Sequence, residues 1–563
     1  MLLSFFIFFC YSNEIPIYVG NICSSVDPTI QFDANSFPLC EMKKTESSHN
    51  NISFLQRLSG FSLNDMGINA RFKNIVALKQ LCNRGMTKKN YNDMKNAILK
   101  NCWIQFIVNN SQMYTYLGKS ENGAILYYSK WMFTFYFTDD QIVSQIVTGT
   151  NPLPLIDGED LQFSYSITWI DANNEDVNTI IKTTKESYSS KYWYHFYSLM
   201  MMIIIIFSII SYFAFVILTN ISEDYKNFQK ETQFDDFDDK SLDFTWKSLH
   251  GDVFRKPVKL NILSGFIGSG FHILYTFLFV LIIYILSNFI QFFGKFGFGS
   301  IFTIIYVISA AISGFASSAI TQLFGESKNN LKSIKNLRSS IIGSLITSFP
   351  CWISLFAASL LSDIISPKKC FALLLITLFF ISPLATFGGY LGNTSALIET
   401  PCDVAIIPRK IPKLPLVLRK AVIFPVIGLI CGFLFIHEFS FLFCALMNGD
   451  IHWFVTLSLI VLISTIFIII VSTITMIYGL LQNGYYLWQW YSFLGPFSSS
   501  VFVFLFFVSF INSKTSFQTT NDKFAAYLTA LSCSYVYGTV CGVVGFISTN
   551  AFLQIIYSNL KFS

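Results

Sequence analysis

Nine apolar runs decide what this chain can become. They lie at 196–218, 262–290, 298–324, 339–361, 371–398, 421–436, 453–481, 495–511 and 524–557, and their interiors contain no Asp, Glu, Lys or Arg. Crossing a hydrocarbon core ~30 Å thick takes about 20 helical residues. All the runs reach that length or approach it, and 421–436 is the marginal one. Only 13% of the 563 residues are charged, roughly half of what soluble domains carry. The expected fold is therefore a polytopic α-helical membrane protein with nine transmembrane helices, preceded by a β-rich lumenal domain. The 61 Phe are then lipid-compatible filling. A net charge of +5 without basic stripes argues against a nucleic-acid partner.

Residues 1–12 form an apolar run of signal-peptide length, with small residues Cys10 and Ser12 before a cleavage point. Residues 13–195 form the lumenal domain. A helix is expected over Lys88–Asn101, from the spacing of Tyr91, Met94, Ala97 and Ile98. Five strands follow, at 103–108, 113–118, 125–137, 141–147 and 161–170, rich in aromatic and β-branched residues and divided by Asn, Gly and Asp turns. The residues ahead of the helix are expected to be a looser, Cys-bearing segment. Cys23, Cys40, Cys82 and Cys102 allow two disulfides in three connectivities. Asn51 and Asn109 head glycosylation sequons, usable on a lumenal surface.

The first membrane helix, 196–218, follows an aromatic belt at Tyr192, Trp193, Tyr194 and Tyr197. The polar loop 219–261 then separates it from an eight-helix block, 262–558, which ends in a tail at 559–563. Asp235, Asp236, Asp238 and Asp239 mark the early part of the loop as a solvated tether. With the N-terminal domain lumenal, the short cytosolic segments hold ten Lys or Arg against five in the lumenal loops, so the charge bias agrees with that orientation.

No nucleophile elbow, paired His, Cys-x-x-Cys or phosphate-binding Gly loop occurs, so no catalytic residue, metal site or cofactor is expected. His272 is the ionisable group inside a span, read as a neutral His bonded to a neighbouring helix. Glu326, Asp363, Glu399 and Glu438 stand at span ends, where they would face water or headgroups. Several spans carry small residues at helical spacing. One is Gly538-x-x-x-Gly542 with Gly545 beyond it, a pattern that lets helices approach closely. Internal packing accounts for most such faces, and an open one would hold the transmembrane helix of another protein.

Several stretches carry a family resemblance. Asn13-Glu-Ile-Pro-Ile-Tyr-Val19 is similar to an Asp-Glu-Ile-Pro-Leu-x-Val opening. Trp246-Lys-Ser-Leu-His-Gly-Asp-Val-Phe-Arg255, followed by Pro257, is similar to Trp-Lys-x-(Val/Leu)-His-Gly-Asp-Val-Phe-Arg. Ile407-Pro-Arg-Lys-Ile-Pro412 and the Tyr485–Phe493 segment with Trp488 and Trp490 match two further loops. The chain resembles the nonaspanins of the transmembrane nine superfamily. That resemblance implies a non-enzymatic protein of the Golgi and endosomes that sorts or escorts membrane-protein cargo, above all cargo with Gly-rich spans, and acts through it in adhesion and phagocytosis. The alternative class is a channel or a transporter of small molecules or lipids, with His272 on its path. The family's C-terminal Lys-x-acid signal, read by vesicle coat proteins, is represented by Lys561-Phe-Ser563, with the acidic side chain missing.

The motif Trp246–Arg255, a cytosolic collar between the first span and the eight-helix block, is read as a structural dock. Trp246 and Phe254 would rest at the membrane interface, Arg255, Lys256 and Lys259 near anionic headgroups, and His250, Gly251 and Asp252 between them.

Overall fold

The computed structural model describes residues 14–23, 31–32, 34, 37–44, 64–108, 111–121, 123–138, 141–171, 174–231, 246–287, 298–324, 332–362, 367–394, 400–447, 451–514, 517 and 519–558. The signal segment, Asn51, Asn109, the acidic tether and Lys561 lie outside these residues. The chain divides into two units. One holds residues 1–195 with 443–450 and 510–523, and the other holds the rest.

The first unit is a two-sheet domain. One sheet has the order β3 (Lys43–Lys44), β4 (Asn64–Arg71), β1 (Glu14–Cys23), β6 (Trp103–Val108), β7 (Ser111–Tyr116), with β2 (Gln31–Phe32) beside β1. The other runs β10 (Gln141–Pro154), β9 (Ala124–Thr138), β11 (Leu161–Asp171), β5 (Val76–Arg84), with β8 (Gly118–Glu121) on β9. β11 and β9 are parallel, and the other pairs are antiparallel. The sheets meet through aromatic side chains. Phe106 of β6 lies edge-on to Trp131 and Phe133 of β9, and Trp131 stacks on Phe163 of β11. The expected five strands and the helix α1 (Lys88–Leu99) are present. Thr87 caps α1 by accepting from the Asn90 amide, and Met94, Ala97 and Ile98 are buried.

The segment ahead of α1 is not loose, however. It supplies β1, β4 and β5, and β1 sits between β4 and β6 near the middle of its sheet. The alternation of β1 and β4 is broken by Pro16, by Gly67 at φ 78° and by a register shift between Ile17 and Tyr18, which hides the strands from a period-two reading. Among the described residues the bridge Cys40–Cys82 is formed and ties the segment before β3 to β5.

The second unit is helical. Among the described residues, nine helices are long and apolar enough to cross a membrane. The first is part of α2 (Asn174–Glu231) and occupies Phe196–Asp224. It outruns the expected 196–218, so the start of the polar loop is helical. The others are α3 (Leu260–Ser287), α4 (Phe298–Leu323), α5 (Lys332–Leu361), α6 (Pro367–Thr394), α7 (Lys420–Met447), α8 (Ile451–Gln482), the pair α9 (Gln489–Phe497) and α10 (Ser499–Lys514), which share one span, and α11 (Thr520–Ser558). A π-turn at Thr377–Ile381 precedes Pro383 in α6, where the ring removes a helical hydrogen bond.

Small residues draw the helices together. A Cβ on Gly314 of α4 would run into the Ala385 carbonyl of α6, and one on Gly388 into Ala311. Ser318 Oγ donates to the Gly389 carbonyl at 2.9 Å. His272 of α3 bonds through Nε2 to the Tyr306 carbonyl of α4 at 2.7 Å and stacks on the Tyr306 ring, so it links neighbouring helices as its isolated position suggests.

Glu438 requires a correction. It does not face water at a span end. Helix α7 continues past 436, its span covers Lys420–Phe443, and Glu438 is 1% exposed within it, 2.6 Å from Nδ1 of His437. The run of 421–436 was marginal because these two polar residues end the apolar stretch without ending the helix.

Candidate functional site

The motif 246–257 is the hub of the helical unit. It opens with a 3-10 turn, Trp246–Leu249, that places the Trp246 ring inward. The indole Nε1 donates to Asp224 Oδ2 at 2.9 Å, at the end of the first span, and Lys247 binds the Asp224 carbonyl. The Trp246 carbonyl accepts from the Tyr557 hydroxyl at 2.6 Å, at the far end of α11. Trp246 and Phe254 both pack edge-on against the Tyr557 ring.

Gly251 comes next. Its carbonyl accepts from the Ala405 amide at 2.8 Å, and a Cβ at 251 would stand 3.1 Å from the Ala405 Cβ. Asp252 is buried and holds Arg255 through two hydrogen bonds, from Nε at 3.0 Å and Nη2 at 2.6 Å. Nη2 of Arg255 also donates to the Ala405 carbonyl at 2.7 Å. The Val253 carbonyl accepts from Trp488 Nε1 at 2.8 Å and from Gln489 Nε2 at 3.3 Å. Trp490 Nε1 reaches the Val258 carbonyl at 2.8 Å.

Two expectations change here. Trp246 and Phe254 are not interfacial anchors. They are buried in the largest apolar cluster of the helical unit, with Leu249, Val253, Trp488, Phe546 and Tyr557. Arg255 is committed to Asp252 and Ala405. The carbonyls of Trp246, Val253 and Val258 accept from side chains of other segments and that of Gly251 from the Ala405 amide, which explains a polar stretch inside an apolar protein. His250 is exposed, with Nδ1 at 3.2 Å from the Lys247 carbonyl. Among the described residues no group of three His, Cys, Asp or Glu could hold a metal ion. Burial first, and Asp403 second, push the Cys402 thiol above its usual range, away from nucleophilic use.

These contacts also order the helices. The motif touches the end of span one, the connection between spans five and six at Ala405, the connection between spans seven and eight at Trp488, and the end of span nine at Tyr557. In an alternating bundle of nine crossings these four places share one side, so the contacts and the helix count support each other.

The Gly stripe of α11 is used up internally. A Cβ on Gly538 would meet Ser500 at 2.7 Å and the Phe497 carbonyl at 2.8 Å, one on Gly542 would meet Phe493 at 2.7 Å, and one on Gly545 would meet Pro496 and the Ser492 carbonyl at 2.7 Å. The sequence rightly marked a close approach, but the partners are α9 and α10 of the same chain, so these three glycines offer no open face to a cargo helix.

The first span carries an open apolar face. Leu199, Ile203 and the partly buried Ile206, Phe207 and Ile210 pack toward α7 and α8, and Ile217 and Ile221 join the motif cluster. The other face, with Met201, Ile205, Tyr212 and Phe215, is exposed along its length. Of the nine spans among the described residues, it is the least buried within the chain. Sequence reasoning missed it because its hydropathy, like that of every span, does not separate a lipid-facing stripe from a packed one.

Residues 29–520 match the family model described as Endomembrane protein 70. The chain belongs to the endomembrane protein 70 family. Family members named as transmembrane 9 superfamily proteins match it nearly end to end. Member 2 of Arabidopsis thaliana is 22% identical over 581 residues, covering 98% of this chain and 94% of the relative. Member 1 of Bos taurus is 23% identical over 587 residues, covering 98% and 93%. A Dictyostelium discoideum protein named "Putative phagocytic receptor 1b" is 24% identical over 421 residues, covering 71% of this chain and 69% of its own length. No solved structure matches this endomembrane protein 70 chain.

Proposed function

We propose that this protein escorts other membrane proteins through the endomembrane system, binding their transmembrane segments beside its first span and taking no part in catalysis. The N-terminal β domain lies in the lumen, and the collar motif lies in the cytosol with the C-terminus. The observation that carries the reading is the open face of α2, where Met201, Ile205, Tyr212 and Phe215 form a bulky ridge left exposed by the described residues of this chain. A ridge of large side chains pairs best with a helix whose own face is small, because packing in lipid depends on close approach. Clients with Gly-rich spans are therefore the class it would select. The Dictyostelium relative's name links a similar protein to phagocytosis, and a client receptor whose surface level depends on escort would give this protein the same association. Lys561, near the C-terminus, is the residue that vesicle coat proteins would read to set the escort's own itinerary.

Removing the protein from its cells and measuring surface levels of membrane proteins with Gly-rich spans tests this. Those levels fall and the clients accumulate internally if the reading is right. Unchanged levels and locations would sink it.

A further inference from the structure

The connection between α6 and α7 contains two isoleucines that the described residues leave uncovered. Ile406 is 97% exposed and Ile407 81%. They do not hang on a loose loop. On one side, Ala405 is bonded through both its amide and its carbonyl to Gly251 and Arg255. On the other side, Arg409 donates to Ser248 Oγ at 2.8 Å and its carbonyl accepts from the Tyr486 hydroxyl at 3.2 Å. Pro401, Pro408, Pro412 and Pro415 fix φ along the same segment. The apolar tip is thus held out by a rigid mount.

Two further observations say what covers it. The exposed apolar line continues through Ile411, Leu416 and Val417 to Lys420, where α7 enters its membrane span. Beside it, Arg409, Lys410, Lys413, Arg419 and Lys420 are exposed, whereas Asp403 is the single acid within 400–420. Apolar side chains interleaved with cations, at the level where a membrane helix begins, match the boundary between acyl chains and anionic headgroups.

We propose that residues 400–419 form an interfacial element that inserts Ile406 and Ile407 between the headgroups of the membrane crossed by α7 and binds anionic phospholipid through Lys410 and Lys413. The collar behind it gains a function from this. It fixes the height and angle at which the tip meets the bilayer.

The test uses the full-length protein in vesicles of phosphatidylcholine, with or without phosphatidylserine, carrying a fluorescent dansyl amino acid at position 406. The expected result is a blue-shifted emission that brominated lipid quenches, with quenching stronger when phosphatidylserine is present. The double variant Lys410→Gln/Lys413→Gln should lose most of the phosphatidylserine dependence, about a thirtyfold loss in anionic-lipid preference for two interfacial cations. Its melting temperature should match that of the parent, because neither side chain supports the collar. Water-like emission in both compositions would overturn the proposal. So would a phosphatidylserine response that survives in the double variant, or a blue shift that appears only when cytosolic protein is added.

Discussion

The hydroxyl of Tyr557 donates to the backbone carbonyl of Trp246 at 2.6 Å, across 311 positions of sequence. The two rings also meet edge to face, with centroids 5.7 Å apart. One contact therefore ties the turn after the first span to the end of the ninth. Tyr557→Phe keeps the packing but removes this hydrogen bond from a buried carbonyl, at a cost of about 1–3 kcal/mol. Trp246→Ala also empties a large core site and should cost about 3–5 kcal/mol. Thermal unfolding in detergent micelles should place Trp246→Ala well below Tyr557→Phe, and both below the parent. Equal melting temperatures for all three would remove the collar from the core.

Gly251 and Ala405 make a second, steric test of the same hub. A valine at 251 must push beyond a Cβ position already 3.1 Å from the Ala405 Cβ, next to a backbone hydrogen bond. Gly251→Val should be retained early in the secretory pathway, whereas Gly251→Ala should be milder. Localisation of tagged variants by microscopy checks this, and normal traffic of the valine variant would count against it.

Asp252 and Arg255 form a partly sheltered ion pair, with the aspartate side chain 5% exposed and the arginine 23%. Removing one partner strands the other, which for buried pairs costs about 3–5 kcal/mol, here reduced by the exposure of Arg255. Asp252→Ala should therefore destabilise more than the double variant Asp252→Ala/Arg255→Met. Additive effects in a double-mutant cycle would show that the pair carries no coupling.

Gly542 and Gly545 separate internal packing from client binding. Each sits against α9, so Gly542→Val and Gly545→Val overpack the core, at about 1–3 kcal/mol or more. Lower melting temperature should accompany any loss of escort in these variants. Met201→Ala and Ile205→Ala on the open face of α2 should instead reduce client surface levels with the melting temperature unchanged. A loss of escort in Gly542→Val at full thermal stability would return that stripe to the client.

Cys40→Ser or Cys82→Ser opens a loop of sequence separation 42 in the β domain, worth about 2–4 kcal/mol of stability. The change should appear as faster proteolysis of the N-terminal domain while the helical unit stays intact. Equal proteolysis rates in variant and parent would contradict it.

The nine-helix architecture was open to reading because each span must satisfy its own backbone over about 20 apolar residues, which leaves a long and unmistakable pattern. The aromatic strands β6 to β11 were open for a similar reason. β1 and β4 were not, since Pro16 and Gly67 interrupt their alternation. The collar was visible as a motif, but its depth was not. A Trp in a polar turn reads as an interfacial anchor, and only the tertiary partners Asp224, Trp488 and Tyr557 bury Trp246. Glu438 was misplaced because hydropathy ends a span where the charge begins, although α7 runs on past it. Glycine spacing disclosed where helices approach closely, but it does not name the helix that approaches.

The most direct test of escort through the first span is site-specific photo-crosslinking in living cells. A photoreactive amino acid replaces Ile205 on the open face of α2 or Leu199 on its packed face. Crosslinks from position 205 should capture transmembrane segments of other membrane proteins, enriched in Gly-rich spans, while those from 199 should stay within the chain. If position 205 captures only lipid, with client surface levels unaffected by Met201→Ala/Ile205→Ala, the first span is not a client site and the account fails.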